Sequence, residues 1–502
     1  MPDIVLATLN ARFAHCAFGL RYLLANLGPL QERAALHEFD IKHAPAAVAD
    51  TLLASQPRIV ALGIYIWNVE PCTAIVRLLK QKRPDLVVVL GGPEVSYETN
   101  QQAICLLADY VVTGEGDVAF AELCRDILDG HPPAAKLVPG APVELERIAL
   151  PYDFYTDEDI AHRLVYVESS RGCPNRCEYC ISSHDMPLRF FPMDRILAAF
   201  EELLARGVRS FKFVDRTFNL RMDRCLPIMQ FFLDRLRPGL FLHFEMVPDR
   251  FPPELKEIIR QFPPGTLNLE IGVQTLNPDV SARIRRNQDM RQVEENLRFL
   301  RNETHAQLHV DLIAGLPGES LESFRDGFDR LCRLEPHRIQ VGILKRLHGA
   351  PIVRHDAEWG MVYDPAPPYG ILETRLINRP SMLRIRQFAR FWDLVANRGR
   401  FPGTLPLILG RGPSPFDAFM ALSDWMHARF GRDYAITLLD LAESLFVYLT
   451  EEAGVNAEVV GDAMWSDYHA GGKRRDRPRF LRNRGLEIGD LCTEPQSRIS
   501  NL

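Results

Sequence analysis

Three cysteines stand within eight residues of one another in Ser169-Ser170-Arg171-Gly172-Cys173-Pro174-Asn175-Arg176-Cys177-Glu178-Tyr179-Cys180. Their spacing is Cys-x3-Cys-x2-Cys. Thiolates gathered on one short loop suit a soft metal centre. Three of them wrap one face of a [4Fe–4S] cube, whose irons are held by cysteine sulfur. One iron of such a cube then has no protein ligand and stays open to the N and O atoms of a small molecule. Zinc is the competing ion, but its structural sites take four protein ligands. No fourth Cys or His stands at the usual close spacing, His184 being the nearest. A disulfide framework fits less well, because ten cysteines in 502 residues are sparse. The opening Met1-Pro2-Asp3-Ile4-Val5-Leu6 also lacks the basic region and cleavage site of a secretory signal, and reads as a first strand. Cys72, Cys105, Cys124 and Cys332 fall in expected helices or strands, where a buried thiol is the ordinary reading.

The elements that must position this loop alternate in type. Over residues 1–130, apolar strand runs at 4–8, 59–66, 86–90 and 110–112 are interleaved with helical patterns at 19–27, 70–82 and 117–128. That alternation predicts a doubly wound, flavodoxin-like parallel sheet. Ligands of such sheets bind at the carboxyl ends of the strands, near the switch point. The loops there are residues 10–19, Tyr65-Ile66-Trp67-Asn68, Gly91-Gly92-Pro93-Glu94 and Thr113-Gly114-Glu115-Gly116. Glycine lets backbone approach a ligand closely. Any one of these loops reads equally as a tight turn, whereas four on one edge favour a binding shell.

Residues 131–160 contain Pro132, Pro133, Pro139, Pro142 and Pro151 and are expected to be a linker. Residues 161–360 resume the alternation, with expected strands at 163–168, 210–214, 241–246, 266–273, 307–313 and 338–344 and helices including 194–206 and 292–302. Six strand–helix units predict a partial (β/α)6 barrel, with chemistry at the carboxyl ends of its strands. The cysteine stretch follows the first of them. Pro365-Ala366-Pro367-Pro368 marks a further boundary. From 361 to 502 the pattern is mostly helical, at 416–430 and 433–449. The basic run Lys473-Arg474-Arg475-Asp476-Arg477-Pro478-Arg479 reads as a solvated surface segment, with nucleic-acid contact the minority reading.

At 502 residues the chain has room for about three domains. It is 47% hydrophobic and 25% charged, with net charge −6, so no general attraction to nucleic acid or membrane is expected. No run of about 18 apolar residues appears. The expected location is cytoplasmic.

Cys173, Cys177 and Cys180, with Tyr179 before the last, resemble the signature of radical S-adenosylmethionine (SAM) enzymes. The resemblance implies a [4Fe–4S] cluster whose open iron is chelated by the amino and carboxylate groups of SAM. It also implies reductive cleavage of SAM to a 5′-deoxyadenosyl radical. Further stretches are similar to the family's strand ends: Phe213-Val214-Asp215-Arg216-Thr217-Phe218-Asn219, His243-Phe244-Glu245, Glu270-Ile271-Gly272-Val273-Gln274-Thr275, the turn from Asp311 to Glu319, and Val341–Lys345 leading to Leu347-His348-Gly349-Ala350. On that likeness Glu245 faces a SAM hydroxyl or amino group, Gln274 the ribose, Arg286 the carboxylate, and the turn holding Leu316 the adenine.

A doubly wound domain just before such a barrel resembles the cobalamin-binding subclass. It implies a shell at Asn68, Gly91, Gly92, Gly114, Glu115 and Gly116. The Asp-x-His-x-x-Gly motif that supplies an axial histidine in many cobalamin proteins is absent, and His15 is the nearest substitute. The segment from Phe416 to Trp425 resembles an uncharacterised C-terminal domain on one branch of these proteins. The function implied is methylation of an unactivated carbon of a small molecule, with an electron donor such as flavodoxin or ferredoxin. Alternatives are a cobalamin-assisted cyclase or rearrangement enzyme, a methylthiotransferase, and a non-catalytic iron–sulfur binding protein.

Overall fold

Ile4–Asn10 (β1), Ile59–Gly63 (β3) and Val87–Gly91 (β4) are nearly continuous apolar runs. Strands covered by helices on both faces need that composition. In β1 the alternation is physical: Ile4 and Leu6 enter one core, with Leu20, Leu24 and Phe120. Val5, Ala7 and Leu9 enter the other, with Val48, Leu52, Ile75 and Val76. Ala34–Asp40 (β2), Tyr110–Gly114 (β5) and Leu137–Gly140 (β6) complete an all-parallel sheet in the order β2-β1-β3-β4-β5-β6. Its helices are Phe18–Ala25 (α1), Pro45–Leu53 (α2), Val69–Lys82 (α3), Ala103–Leu107 (α4) and Gly116–Leu128 (α5). The order reverses beside β1, so the switch point lies between β1 and β3.

The computed structural model describes residues 1–184, 187–470 and 478–481. Lys473–Arg477 of the basic run therefore lie outside the described residues. Packing divides the chain into two units: residues 1–245 with 345–354 and 363–370, and residues 246–344 with 355–362 and everything from Ile371 on.

In the first unit the sheet is followed by Asp157–His162 (α6), capped by Thr156 and Asp159 in a reciprocal box. Next come Val165–Val167 (β7), the short strands Ser170–Arg171 (β8) and Arg189–Phe190 (β9), Met193–Ala205 (α7), Ser210–Phe213 (β10), Met222–Leu233 (α8) and Phe241–Met246 (β11). β10 lies between β7 and β11, parallel to both. Phe200, Phe211, Phe213 and Phe232 stack behind them, with ring centroids 5.0–6.3 Å apart.

In the second unit Leu267–Gln274 (β12), Gln307–Ala314 (β13) and Arg338–Ile343 (β14) run parallel. They alternate with Pro278–Arg283 (α9), Met290–Glu303 (α10) and Leu321–Cys332 (α11). The helical tail shares this unit's core. Phe328 of α11 meets Phe388, Trp392 and Phe416 edge to face at 4.8–5.7 Å. Asp329 accepts a hydrogen bond from the Phe416 backbone at 2.7 Å. The fold is thus a doubly wound parallel sheet, a parallel strand–helix barrel segment and a helical C-terminal region. No described helix is long and apolar enough to cross a membrane.

Several boundaries differ from the sequence expectation. Leu137–Gly140, placed in a linker, is a strand, because Pro139 sits on the sheet's edge where no donor is needed. The 163–168 run is regular only over Val165–Val167. The tail helix expected from 433 begins at Leu438, where Thr437 caps it by accepting from Asp440 N at 3.1 Å.

Candidate functional site

The cysteine loop is held from its neighbour strand. Asp215, just past β10, accepts from Ser169 N at 3.0 Å, Ser169 Oγ at 2.7 Å and Ser170 Oγ at 2.5 Å. The carboxyl is fully buried. Burial pushes its pKa up, and the serine donors work against that shift. The start of the loop is thereby fixed to the carboxyl end of β10. Gly172 follows at φ +97°, a turn that a side chain resists.

Cys173 and Cys177 are buried, Cys180 is half-buried, and none of the three is in a disulfide. Burial is the main cause raising the Cys180 thiol. Cys180 N donates to Cys177 O at 3.1 Å, which starts a short 3-10 turn, Ile181–His184. Glu178, the carboxylate on this loop, is turned to Arg354. His184 Nε2 lies 2.7 Å from Gly349 O. Among the described residues no three His, Cys, Asp or Glu side chains converge at metal-holding distance. The donor set nevertheless fits a thiolate-held cluster: three cysteine sulfurs on one loop that is mostly non-helical.

At the carboxyl edge of the first sheet, Asn68 is wholly buried. Its Nδ2 lies 3.1 Å from each of Thr8 Oγ1, Leu9 O and Gly63 O, and its Oδ1 accepts from Tyr65 N at 2.8 Å. Asn68, expected as a cofactor contact, uses these bonds to tie β1 to β3. Trp67 beside it is 43% exposed. It stacks on Tyr65 at 4.5 Å and 5°, and its Nε1 donates to Leu9 O at 3.1 Å. Gly92 has φ +110°, and a Cβ there would meet Ile64 O at 2.4 Å. Gly91, Gly114 and Gly116 present backbone without side chains along the same edge. His15 places Nδ1 2.6 Å from the Tyr166 hydroxyl. Burial first, then Lys212 and Arg12, lowers its pKa, so the imidazole is neutral near pH 7. A neutral imidazole, a rigid half-exposed indole and bare backbone fit a flat metal-centred macrocycle.

Glu115 and Asp117 flank Gly116 at the head of α5. Asp117 takes both terminal nitrogens of Arg171, at 2.7 and 3.2 Å, while Arg171 Nε donates to Glu168 at 2.9 Å. Glu115 pairs with Arg189. Burial pushes the Glu168 carboxyl up to about 7, with Arg171 opposing it. Arg171, Asp117, Glu168 and Arg189 carry no sequence signal, since Arg171 and Asp117 are 54 residues apart.

In the first unit His243 is buried and Glu245 half-buried on β11. In the second, Gln274 ends β12 at φ +70°, where the register with β13 slips between Gly272 and Gln274. Its amide lies over Gly272, and Arg286 donates to Gly272 O. The structure thus brings Gln274 and Arg286 together on one glycine. Leu316 is fully buried in the turn after β13. Nearby Glu319 accepts from Thr275 Oγ1 at 2.6 Å, and burial pushes its carboxyl up to about 7.

The sequence profile of the radical SAM superfamily matches residues 167–331, and that of the B12 binding domain matches residues 4–124. A family described as a protein of unknown function (DUF4080) matches residues 357–493. Among curated relatives, 2-(S-pantetheinyl)-carbapenam-3-carboxylate methyltransferase of Streptantibioticus cattleyicolor is 28% identical over 338 residues, 59% of this chain and 48% of that protein. The cobalamin-dependent radical SAM methyltransferase TokK of Streptomyces tokunonensis is 26% identical with the same coverage. The ribosomal protein uS12 methylthiotransferase RimO of Pelobacter propionicus is 28% identical over 201 residues, 37% of this chain and 43% of that protein. The chain thus spans about half the length of the curated relatives it matches. In fold it is similar to the cobalamin-dependent SAM radical enzyme OxsB, with TM-score 0.64 and 14% identity over 93% of this chain and 84% of that one. It is also similar to the methyltransferase TsrM of Kitasatospora setae, with TM-score 0.59 and 17% identity over 76% and 80%.

Proposed function

We propose that this chain, a radical SAM protein with an N-terminal B12-binding domain, is a cobalamin-dependent enzyme that methylates an unactivated carbon of a small molecule. The observation that carries this reading lies in the first unit: the cysteine loop and the glycine loop at the head of α5 share one set of ion pairs. When bound, the cluster supplies the electron for reductive cleavage of SAM, and cobalamin supplies the methyl group.

The chain's own residues divide the remaining work. Cys173, Cys177 and Cys180 hold the cluster through sulfur. Asp215, acting through Ser169 and Ser170, fixes where that loop begins. Tyr179, beside Cys180 in the same loop, would contribute to binding that cluster. Arg286 carries a planar guanidinium fork, which suits the SAM carboxylate. Gln274 and Glu245 address the ribose and amino groups, and Leu316 gives an apolar wall to the adenine. Gly91, Gly92, Gly114, Glu115 and Gly116 line the corrin side. Asn68 belongs to the same shell, and His15 would offer Nε2 to the cobalt of a bound cobalamin. The electron donor is a flavodoxin- or ferredoxin-type protein.

A methylthiotransferase would need a second cysteine triad in the first domain. Cys72 and Cys105 lie in one core and Cys124 in the other, on the opposite face of the sheet. Burial pushes Cys16, Cys72 and Cys124 up to about 12 and Cys105 up to about 11. Dispersed, buried thiols of this kind do not ligate a cluster, which favours methyl transfer.

The test is anaerobic purification and reconstitution, with iron, sulfide and cobalamin quantified and 5′-deoxyadenosine measured on reduction. All four are expected, and Cys177→Ala should remove the iron and the 5′-deoxyadenosine. Reconstituted protein that makes no more 5′-deoxyadenosine than Cys177→Ala overturns the enzymatic reading. Once a substrate is found, a product heavier by one methylene unit supports methylation, whereas an unchanged carbon count favours cyclisation.

A further inference from the structure

The segment that carries the three cysteines leaves and returns through one antiparallel ladder, in which Ser170 stands opposite Phe190 and Arg171 opposite Arg189. Both arginines of this last rung point to the same place. Arg171 grips Asp117 with two nitrogens and stands 3.8 Å from Glu115, while Arg189 pairs with Glu115. Glu115 and Asp117 flank Gly116, in the loop that the first sheet offers to a cofactor. The Arg171, Asp117 and Glu168 side chains are each 14% exposed or less. Tyr22 lies under the Arg171 guanidinium at 4.5 Å.

On the acidic side of the junction backbone meets backbone. Gly114 is at φ +72°, and a Cβ there would sit 2.4 Å from Gly140 O. A Cβ on Gly140 would in turn sit 2.0 Å from Glu115 O. Backbone therefore packs closely on backbone between this loop and β6. A planar guanidinium paired through two nitrogens also fixes orientation as well as distance.

We propose that the Arg171–Arg189 rung, with Glu115 and Asp117, couples the two cofactor sites, so that a cluster on the cysteines strengthens cobalamin binding and cobalamin slows cluster loss. Ordering either loop fixes the shared side chains, and the second occupant then finds them already placed. Coupling of binding free energies is reciprocal. This inference rests on the cofactor reading above, and Arg171 and Arg189 enter it as positioning residues.

The experiment titrates hydroxocobalamin into the full-length chain with its cluster reconstituted and into the Cys173→Ala/Cys177→Ala/Cys180→Ala variant, reading the visible absorbance of the corrin. The quantity compared is the ratio of the two dissociation constants. The cluster-loaded form is expected to bind at least about fivefold tighter. In a Glu115→Gln/Asp117→Asn background the ratio should fall toward one, whatever happens to the affinities themselves. The exchanged pair Arg189→Glu/Glu115→Arg should restore part of it. Should these variants misfold, the wild-type chain supplies the second measurement: iron loss to a chelator should be slower with hydroxocobalamin present. Equal affinities with and without cluster, or a ratio unmoved by the Glu115 and Asp117 changes, would overturn the coupling alone. No binding to either form would overturn the cobalamin reading together with the coupling.

Discussion

His15 Nδ1 and the Tyr166 hydroxyl lie 2.6 Å apart although 151 residues separate them in sequence. One residue is in the loop after β1 and the other on β7. A histidine bonded through Nδ1 is left with Nε2 as its free ligating nitrogen. For Nε2 to hold a lone pair, Nδ1 carries the proton and donates it to Tyr166. Burial and two nearby cations keep the ring neutral, which is the form a metal requires. With cob(II)alamin bound, His15→Ala should abolish any nitrogen hyperfine splitting from a protein ligand in the paramagnetic resonance spectrum. Tyr166→Phe should weaken cobalamin binding about fivefold, as loss of one hydrogen bond near 1 kcal/mol gives. Identical spectra for wild type and His15→Ala would remove His15 from the cobalt.

The parts of the site legible in sequence are local ones. Cys173, Cys177 and Cys180 declare themselves because their spacing alone sets the chemistry, and Gly92 because a positive φ restricts residue choice. Strands β1, β3 and β4 were readable as apolar runs. β2 was not, because Ala34–Asp40 is half-buried throughout and carries His37, Glu38 and Asp40. β6 was hidden by Pro139-Gly140, a breaker signal that an edge strand tolerates. The ion pairs of Arg171 and Arg189 were illegible for a different reason. Their partners are set by how β5, β8 and β9 meet in space, and no periodicity encodes a contact across 54 or 74 residues.

Asn68 ties β1 to β3 at the carboxyl edge of the first sheet. Removing its side chain takes the partner from Tyr65 N and cuts the Nδ2 contacts to Thr8, Leu9 and Gly63, although Leu9 O keeps the Trp67 indole and Gly63 O the Thr8 hydroxyl. Asn68→Ala should destabilise the first unit by about 2–3 kcal/mol. Asn68→Asp should be worse above pH 7, since a carboxylate would then face Thr8 Oγ1, Leu9 O and Gly63 O in place of the donor. Urea unfolding followed by circular dichroism checks the order. If Asn68→Asp proved the milder change, the donor role of Nδ2 would be wrong.

Gly92 makes the corresponding prediction for backbone. At φ +110°, with Ile64 O only 2.4 Å from where a Cβ would stand, alanine must move the loop. Gly92→Ala should lower stability by about 1–3 kcal/mol and weaken cobalamin binding more than the SAM-dependent signal of the cluster. Gly130→Ala is the matched control, since that glycine also has positive φ, at +82°, but open space around it. Equal losses in the two variants would mean that the close approach to Ile64 is not what matters.

Glu319 allows a test by pH. Burial is the main cause that pushes its carboxyl up to about 7, against hydrogen bonds from Thr275 and Ser323. The folded chain therefore holds this proton more tightly than the unfolded chain does. Stability falls as pH rises wherever the native state binds more protons. The loss begins near the ordinary glutamate value of 4.5 and is complete above about 7. The full effect is about 3 kcal/mol, at 1.36 kcal/mol per unit. Glu319→Gln keeps an oxygen for the Thr275 hydroxyl and removes the titration. The variant should match wild type near pH 4.5 and be the more stable of the two at pH 8, with the gap opening between those values. Melting profiles of both proteins across that range measure it directly. A gap that stays constant from pH 4.5 to 8 would show that Glu319 keeps an ordinary carboxylate value in the folded chain.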